Sequence, residues 1–150
     1  RNPKWLQDDY VKFIRFAQWK ISQNERGIVG FITNHAYIDN PTFRGMRQSL
    51  LKTFDRIYIL DLHGNKRKKE PDENVFDIQQ GVAIGIFVKD GSKKGEYAEV
   101  YYHSTLEDEK LLTRSEKFDF LERNSVNTVN WEKVNPKSPY YFFKPAGEDE

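Results

Sequence analysis

Residues 81–90, GVAIGIFVKD, decide how the chain is to be read, because they form an apolar run with no charge before Lys89. Such a run, closed by the turn material GSKKG (91–95), fits a strand with both faces covered. Two runs upstream share this character, GIVGFIT (27–33) and RIYILDL (56–62). Between them, Asn40-Pro41 opens a helix to about Phe54, since Asn caps and Pro suits the first turn. Phe43, Met46, Leu50 and Phe54 would face the core. Strand, helix and strand within this length make one right-handed βαβ unit, and the fold class is α/β.

Residues 8–22, DDYVKFIRFAQWKIS, predict a helix whose apolar stripe is Tyr10, Phe13, Ile14, Ala17 and Ile21. The first strand, 27–33, has little polar interruption and is expected to be covered on both sides. EYAEVYYH (96–103) alternates and predicts the second arm of a hairpin with 81–90. The pattern then weakens: residues 107–125 hold a helix or two short turns, and NPKSPYYFFKP (135–145) is extended by its prolines.

Lys and Arg number 24 against 23 Asp and Glu, so the net charge of +1 argues for no polyanionic partner and any such case rests on local clusters. With no cysteine, disulfides, thiolate metal sites and a thiol nucleophile are excluded, which fits a cytoplasmic protein. No apolar run reaches the roughly 20 residues that cross a bilayer, so no membrane association is expected. Arg1 leads almost directly into structured sequence, and the chain reads as an excerpt from a longer polypeptide. His35, His63 and His103 are scattered and lack partners at ligand spacing, so no metal site is expected.

Two short motifs imitate catalytic ones. Asn2-Pro3-Lys4-Trp5 approaches the Asn-Pro-Pro-aromatic motif of amino-methylating enzymes, but no apolar strand precedes it and a helix follows, so it reads as a helix lead-in. Pro71-Asp72 with Asp108-Glu109-Lys110 imitates a metal-dependent nuclease pattern. The second part lies in EDEKLL instead of on an apolar strand, so the nuclease reading is set aside. No catalytic residue is assigned.

Longer phrases carry more. YVKFIRFAQWKI (10–21), NHAYIDNPTFRGMR (34–47) and ENVFDIQQGVAIGIF (73–87) resemble the distal half of an adenine-specific DNA methyltransferase. The resemblance is to the large bacterial restriction-modification polypeptides, including Type IIG and single-polypeptide Type I enzymes. It covers residues 5–90 most strongly and extends loosely over KFDFLERNSVNTVNWEKVNPKSPYYFFKP (117–145).

The resemblance implies the C-terminal part of a class I, Rossmann-like methyltransferase sheet, with 82–88 antiparallel between the other two strands and a β-hairpin extension beyond. Residues 1–104 would belong to the methyltransferase domain, and 105–150 would lead toward a target-recognition region. The implied cofactor is S-adenosylmethionine, although the glycine loop that binds it and the Asn-Pro-Pro-Tyr motif are both missing here. Implied partners are DNA and the remainder of the parent polypeptide; the excerpt itself would be inactive.

Parallel strands 28–33 and 57–62 would end on the face where α/β sheets bind ligands. The polar stretch 63–80, HGNKRKKEPDENVFDIQQ, would line that rim, and loops this long are often functional. Phe76 matches the family's aromatic before the last strand, which packs on the extruded adenine; the competing reading is a loop anchor in the core. Lys66, Arg67, Lys68 and Lys69 form a dense basic run that either contacts phosphates or is a solvated loop offset by Glu70, Asp72 and Glu73. Arg44 and Arg47 flank the site as further DNA contacts, and Asn34, His35 and Tyr37 sit where they could line the base pocket. The competing function is a non-catalytic protein- or DNA-binding module, with Tyr97, Tyr101, Tyr102 and residues 140–143 as its contact surface and self-association as a consequence.

Overall fold

The computed structural model describes residues 3–65, 71–107 and 110–147. The basic run 66–69 and Asp108 therefore lie outside the described residues. A 3-10 turn over Pro3–Gln7 leads into helix α1 (Asp9–Ser22), so Lys4 and Trp5 do introduce a helix. Strand β1 (Gly27–Asn34) follows, then helix α2 (Arg44–Thr53), strand β2 (Arg56–His63) and strand β3 (Val82–Lys89). Strand β4 (Glu99–Ser104), helix α3 (Arg114–Arg123) and the short strand β5 (Glu132–Val134) complete the described elements.

The five strands form one sheet in the order β1-β3-β2-β4-β5. Strand β3 is antiparallel to β1, with Asn34 opposite Val82, and antiparallel to β2, with Arg56 opposite Val88. Strands β1 and β2 thus run the same way with β3 reversed between them, as expected. The predicted hairpin is not formed. Strand β4 pairs in parallel with β2, Arg56 opposite Glu99 and Asp61 opposite Ser104. The reason is occupancy: both hydrogen-bonding edges of β3 are already taken, so β4 uses the remaining edge of β2. The buried Asp55 carboxylate steers this crossing by accepting from the backbone N–H of Asp90 (2.7 Å) and Gly91 (2.6 Å).

Asn40 caps as expected, its Oδ1 accepting from Thr42 N at 3.0 Å. Phe43, Leu50 and Phe54 then reach the main core with Tyr37, Ile57, Ile59, Phe87, Val100 and Tyr102, all on the sheet face covered by α1 and α2. Burying each such side chain contributes about 1.5–3 kcal/mol. A smaller cluster of Leu60, Leu62, Val75 and Val82, backed by Phe120, Leu121 and Trp131, lies where α3 crosses the other face.

Two burial expectations fail, the first at one residue. Ile14 is buried and Tyr10 and Ile21 pack against the core as expected, joined by Val11 and by Gln18, whose amide nitrogen lies 2.8 Å from both Ser49 Oγ and Thr53 Oγ1. Phe13, expected inward, is exposed, as are Phe16 and Trp19. Aromatics occur on several faces of this helix, so periodicity alone misplaces the one at its edge. Strand β1 is likewise covered on one side only. Ile28 remains 70% exposed because α3 does not extend over it.

The segment beyond residue 104 joins the same sheet through β5 and the same core through Phe143, whose N–H donates to Ile38 O at 3.0 Å. Tyr102 and Phe143 are buried, Tyr97 and Tyr141 pack edge to face on each other and partly against the core, and Tyr140 stays exposed. The aromatic contact surface expected there is thus consumed by folding in part. No helix among the described residues is long and apolar enough to cross a membrane.

Candidate nucleic-acid interface

The carboxyl ends of β1 and β2 meet the start of β3, since Asn34 and His63 both pair with Val82. At this junction three titratable side chains converge. His35 Nδ1 lies 2.9 Å from Asp61 Oδ1, and His63 Nε2 lies 3.6 Å from Asp61 Oδ2 and 2.7 Å from Ser104 Oγ. The Tyr102 hydroxyl donates to Asp61 Oδ2 at 3.0 Å, and His63 N–H donates to Asp61 Oδ1 at 3.1 Å. The expectation that the histidines lack partners is corrected for two of the three. Separated by 28 positions, they meet at the ends of β1 and β2, the two strands that flank β3. His103 stays apart, stacked on Phe120 with its Nδ1 2.9 Å from Asn130 O.

Burial alone would push the Asp61 carboxyl up, but the His35 hydrogen bond and the nearby His63 outweigh it and hold it below the usual carboxylate range. Burial, then the Asp61 charge, push the Tyr102 phenol up, so it remains a donor. His63 adopts the left-handed backbone at φ 54° beside a register shift in β2, a conformation that costs energy for most residues.

The rim loop after β2 is built from the inside. Gly64, at φ 89°, has no Cβ to strike Asn74, and its N–H donates to Asp72 Oδ2 at 2.8 Å. The buried Asn74 amide donates to Gly64 O, Ile78 O and Gln80 O, with the last contact at 2.7 Å. Lys117 of α3 is wholly buried and donates to Leu62 O (2.8 Å), Asp72 Oδ1 (2.6 Å) and Glu73 O (2.5 Å). This clamp escaped the sequence reading. Its one signal was the Thr113-Arg114-Ser115-Glu116 capping box, which the structure forms in full.

With the loop so held, Val75 is the buried anchor, while Phe76 stays 42% exposed and Ile78 40%. The core-anchor reading of Phe76 is therefore replaced by a projecting aromatic on the rim.

The other predicted residues divide. Asn34 Oδ1 accepts from Ala36 N at 2.8 Å and so caps a 3-10 turn, and Tyr37 is buried in the main core. Arg44 is exposed at the start of α2. Arg47 is wholly buried, and the expectation that it contacts DNA is corrected. Its guanidinium donates to Tyr37 O, Asn40 O, Tyr140 O and Tyr141 O and lies 5.2 Å from the Phe142 ring centre. Four backbone carbonyls converging on one guanidinium outbid a solvent-facing position. Burial lowers its pKa to about 10. Asp72, the first member of the nuclease pattern, is held by Lys117.

Among the described residues, β1 leads into a 3-10 turn and β2 into His63-Gly64, and neither runs through a glycine loop into a helix, so these residues do not fit the glycine cradle that the resemblance associates with the methyl donor.

The arrangement is an α/β sheet segment with a projecting aromatic rim, and its likeness is to parts of restriction-modification enzymes. No protein-family model and no curated protein matches the chain. Among solved structures, it is 32% identical to a nuclease-deletion mutant of the Type ISP restriction-modification enzyme LlaGI in complex with a DNA substrate mimic, with a TM-score of 0.77 over 91% of this chain and 13% of that one. The ATP-dependent Type ISP restriction-modification enzyme LlaBIII bound to DNA is 30% identical, with a TM-score of 0.81 over 94% of this chain and 10% of that one. The DrdV–DNA complex is 30% identical, with a TM-score of 0.77 over 91% and 13%. The chain thus spans about an eighth or less of the length of these structures.

Proposed function

We propose that the chain forms the DNA-side wall of the methyltransferase domain in a restriction-modification polypeptide, whose whole transfers a methyl group from S-adenosylmethionine to the amino group of adenine. The observation that carries this reading is the rim. A loop fixed by Asn74 and Lys117 holds an apolar pair, Phe76 and Ile78, open to solvent beside the carboxyl ends of β1 and β2. An exposed aromatic there offers a stacking partner to an extruded base, which offsets part of the few kcal/mol lost on unstacking. The DNA complexes among the similar structures support DNA as the partner.

Donor binding would fall to the remainder of the parent polypeptide. That remainder has a surface to cover: Phe13, Phe16, Trp19 and Ile28 are exposed, and no described strand pairs with the outer edge of β1. The 150-residue chain alone should show no calorimetric signal with S-adenosylmethionine. The decisive measurement uses the whole enzyme with 2-aminopurine at the target position. Phe76→Ala should reduce the fluorescence rise on base extrusion and slow methylation by about ten-fold or more, the equivalent of one lost stacking contact, with an unaltered melting curve. Unchanged extrusion would remove Phe76 from the role.

The second reading, a non-catalytic module, is favoured by the same exposed face of α1. It predicts salt-insensitive self-association of the isolated chain in sedimentation, and no DNA mobility shift.

A further inference from the structure

The junction of β1, β2 and β4 assembles a donor set that the proposed function does not use. A His35 ring nitrogen, an Asp61 carboxylate oxygen and a His63 ring nitrogen all lie within 4.8 Å of one another. Two donors on one ion at about 2.1 Å each are at most about 4.2 Å apart, so the widest gap closes by about half an ångström. Two imidazoles and one carboxylate suit borderline ions such as zinc, whereas magnesium and calcium take mainly oxygen ligands.

Several features aim these groups at a common point. The left-handed backbone at His63 and the adjoining register shift return its ring to within 3.6 Å of the Asp61 carboxylate. Gly81 leaves room for the His35 ring, since a Cβ there would fall 2.5 Å from it. Tyr102 and the His63 backbone N–H orient the carboxylate from outside the donor triangle, the supporting arrangement that metal sites use. The side chains of His63 and Asp61 are only 9% and 5% exposed, while that of His35 is 22% exposed and gives an ion its way in.

We propose that His35, Asp61 and His63 bind one divalent ion of the zinc class, leaving a further coordination position toward solvent on the His35 side. The ion replaces the direct His35–Asp61 hydrogen bond and the Ser104 contact of His63, and ties the end of β1 to the end of β2 behind the rim loop. The proposal stands apart from the methyltransferase reading, because it needs only residues of this chain.

The test uses the whole 150-residue chain, stripped with chelator and titrated with Co²⁺ as a spectroscopic probe and with Zn²⁺ by calorimetry. One equivalent should bind with visible ligand-field bands, Zn²⁺ should displace Co²⁺, and the melting temperature should rise with zinc but not with millimolar Mg²⁺. H35Q and H63Q should each weaken binding by about ten-fold or more, while H103Q should leave it unchanged. H35Q is the variant least able to disturb folding, and a native circular-dichroism spectrum would make its result decisive even if H63Q failed to fold. Zinc binding weaker than about 100 µM, or stoichiometric binding that survives H35Q, would overturn the proposal and leave the cluster as a hydrogen-bond network.

Discussion

Strand β2 is preceded by one buried aspartate and carries another near its far end, and different chemistry satisfies each. Asp55 accepts from the backbone N–H groups of Asp90 and Gly91. Asp61 accepts from the side chains of His35 and Tyr102 as well as from one backbone N–H. The first arrangement fixes a chain crossing and involves no other titratable side chain in those two bonds. The second binds titratable groups from three segments to one carboxylate, with a left-handed histidine and a long loop beside it. A buried carboxylate therefore marks a site less by its burial than by the partners that satisfy it.

The largest effect is expected at the site end of the sheet, where a buried cation adds to the aspartate. Lys117→Met leaves the Asp72 carboxylate with no cation, only the Gly64 N–H, and takes the donor from two carbonyls, and should cost roughly 3–5 kcal/mol in urea unfolding. Hydrogen exchange should quicken across residues 71–81; equal loss of protection throughout the sheet would mean that Lys117 serves the core and not the loop.

Asp61→Asn should cost roughly 2–4 kcal/mol at neutral pH, against roughly 1–2 kcal/mol for Asp55→Asn, whose amide oxygen can keep both backbone bonds because one carboxylate oxygen accepts them. The contrast has a pH signature. Because the folded Asp61 carboxyl sits below its ordinary value of 3.8, its stabilisation is complete above that pH and declines as pH falls through the lower folded value. Wild type and Asp61→Asn should therefore converge in stability in strong acid. A constant gap from pH 6 to pH 2, measured by urea unfolding, would break the distinction drawn between the two aspartates.

Gly81→Ala brings a methyl group onto the His35 ring and should cost about 1–3 kcal/mol, with altered His35 imidazole resonances and unchanged His103 resonances. The smallest change in stability is expected at Phe76→Ala, under about 1 kcal/mol, because that ring is already half in water. A larger loss would return Phe76 to the core and remove the rim argument.

The apolar runs at 27–33, 56–62 and 81–90 and the Asn40-Pro41 helix start were legible because short-range patterning encodes them. Family resemblance, not patterning, supplied the reversed direction of β3 and pointed to Phe76. Arg47 was misread because a basic residue on a helix looks solvent-facing until the carbonyls that surround it are known. Two of these, at Tyr140 and Tyr141, lie more than 90 residues away.

By itself the sequence determined the main strands and helices up to about residue 104, and that the chain has too little excess charge to bind DNA by net charge. Only the tertiary structure decided that β4 would pair with β2, that Lys117 would be buried under the rim loop, and that His35 and His63 would share Asp61. The physical reason is range. Periodicity and capping act over a few residues, whereas free strand edges and carbonyls lacking donors are created by folding and claim whichever partner the topology brings near.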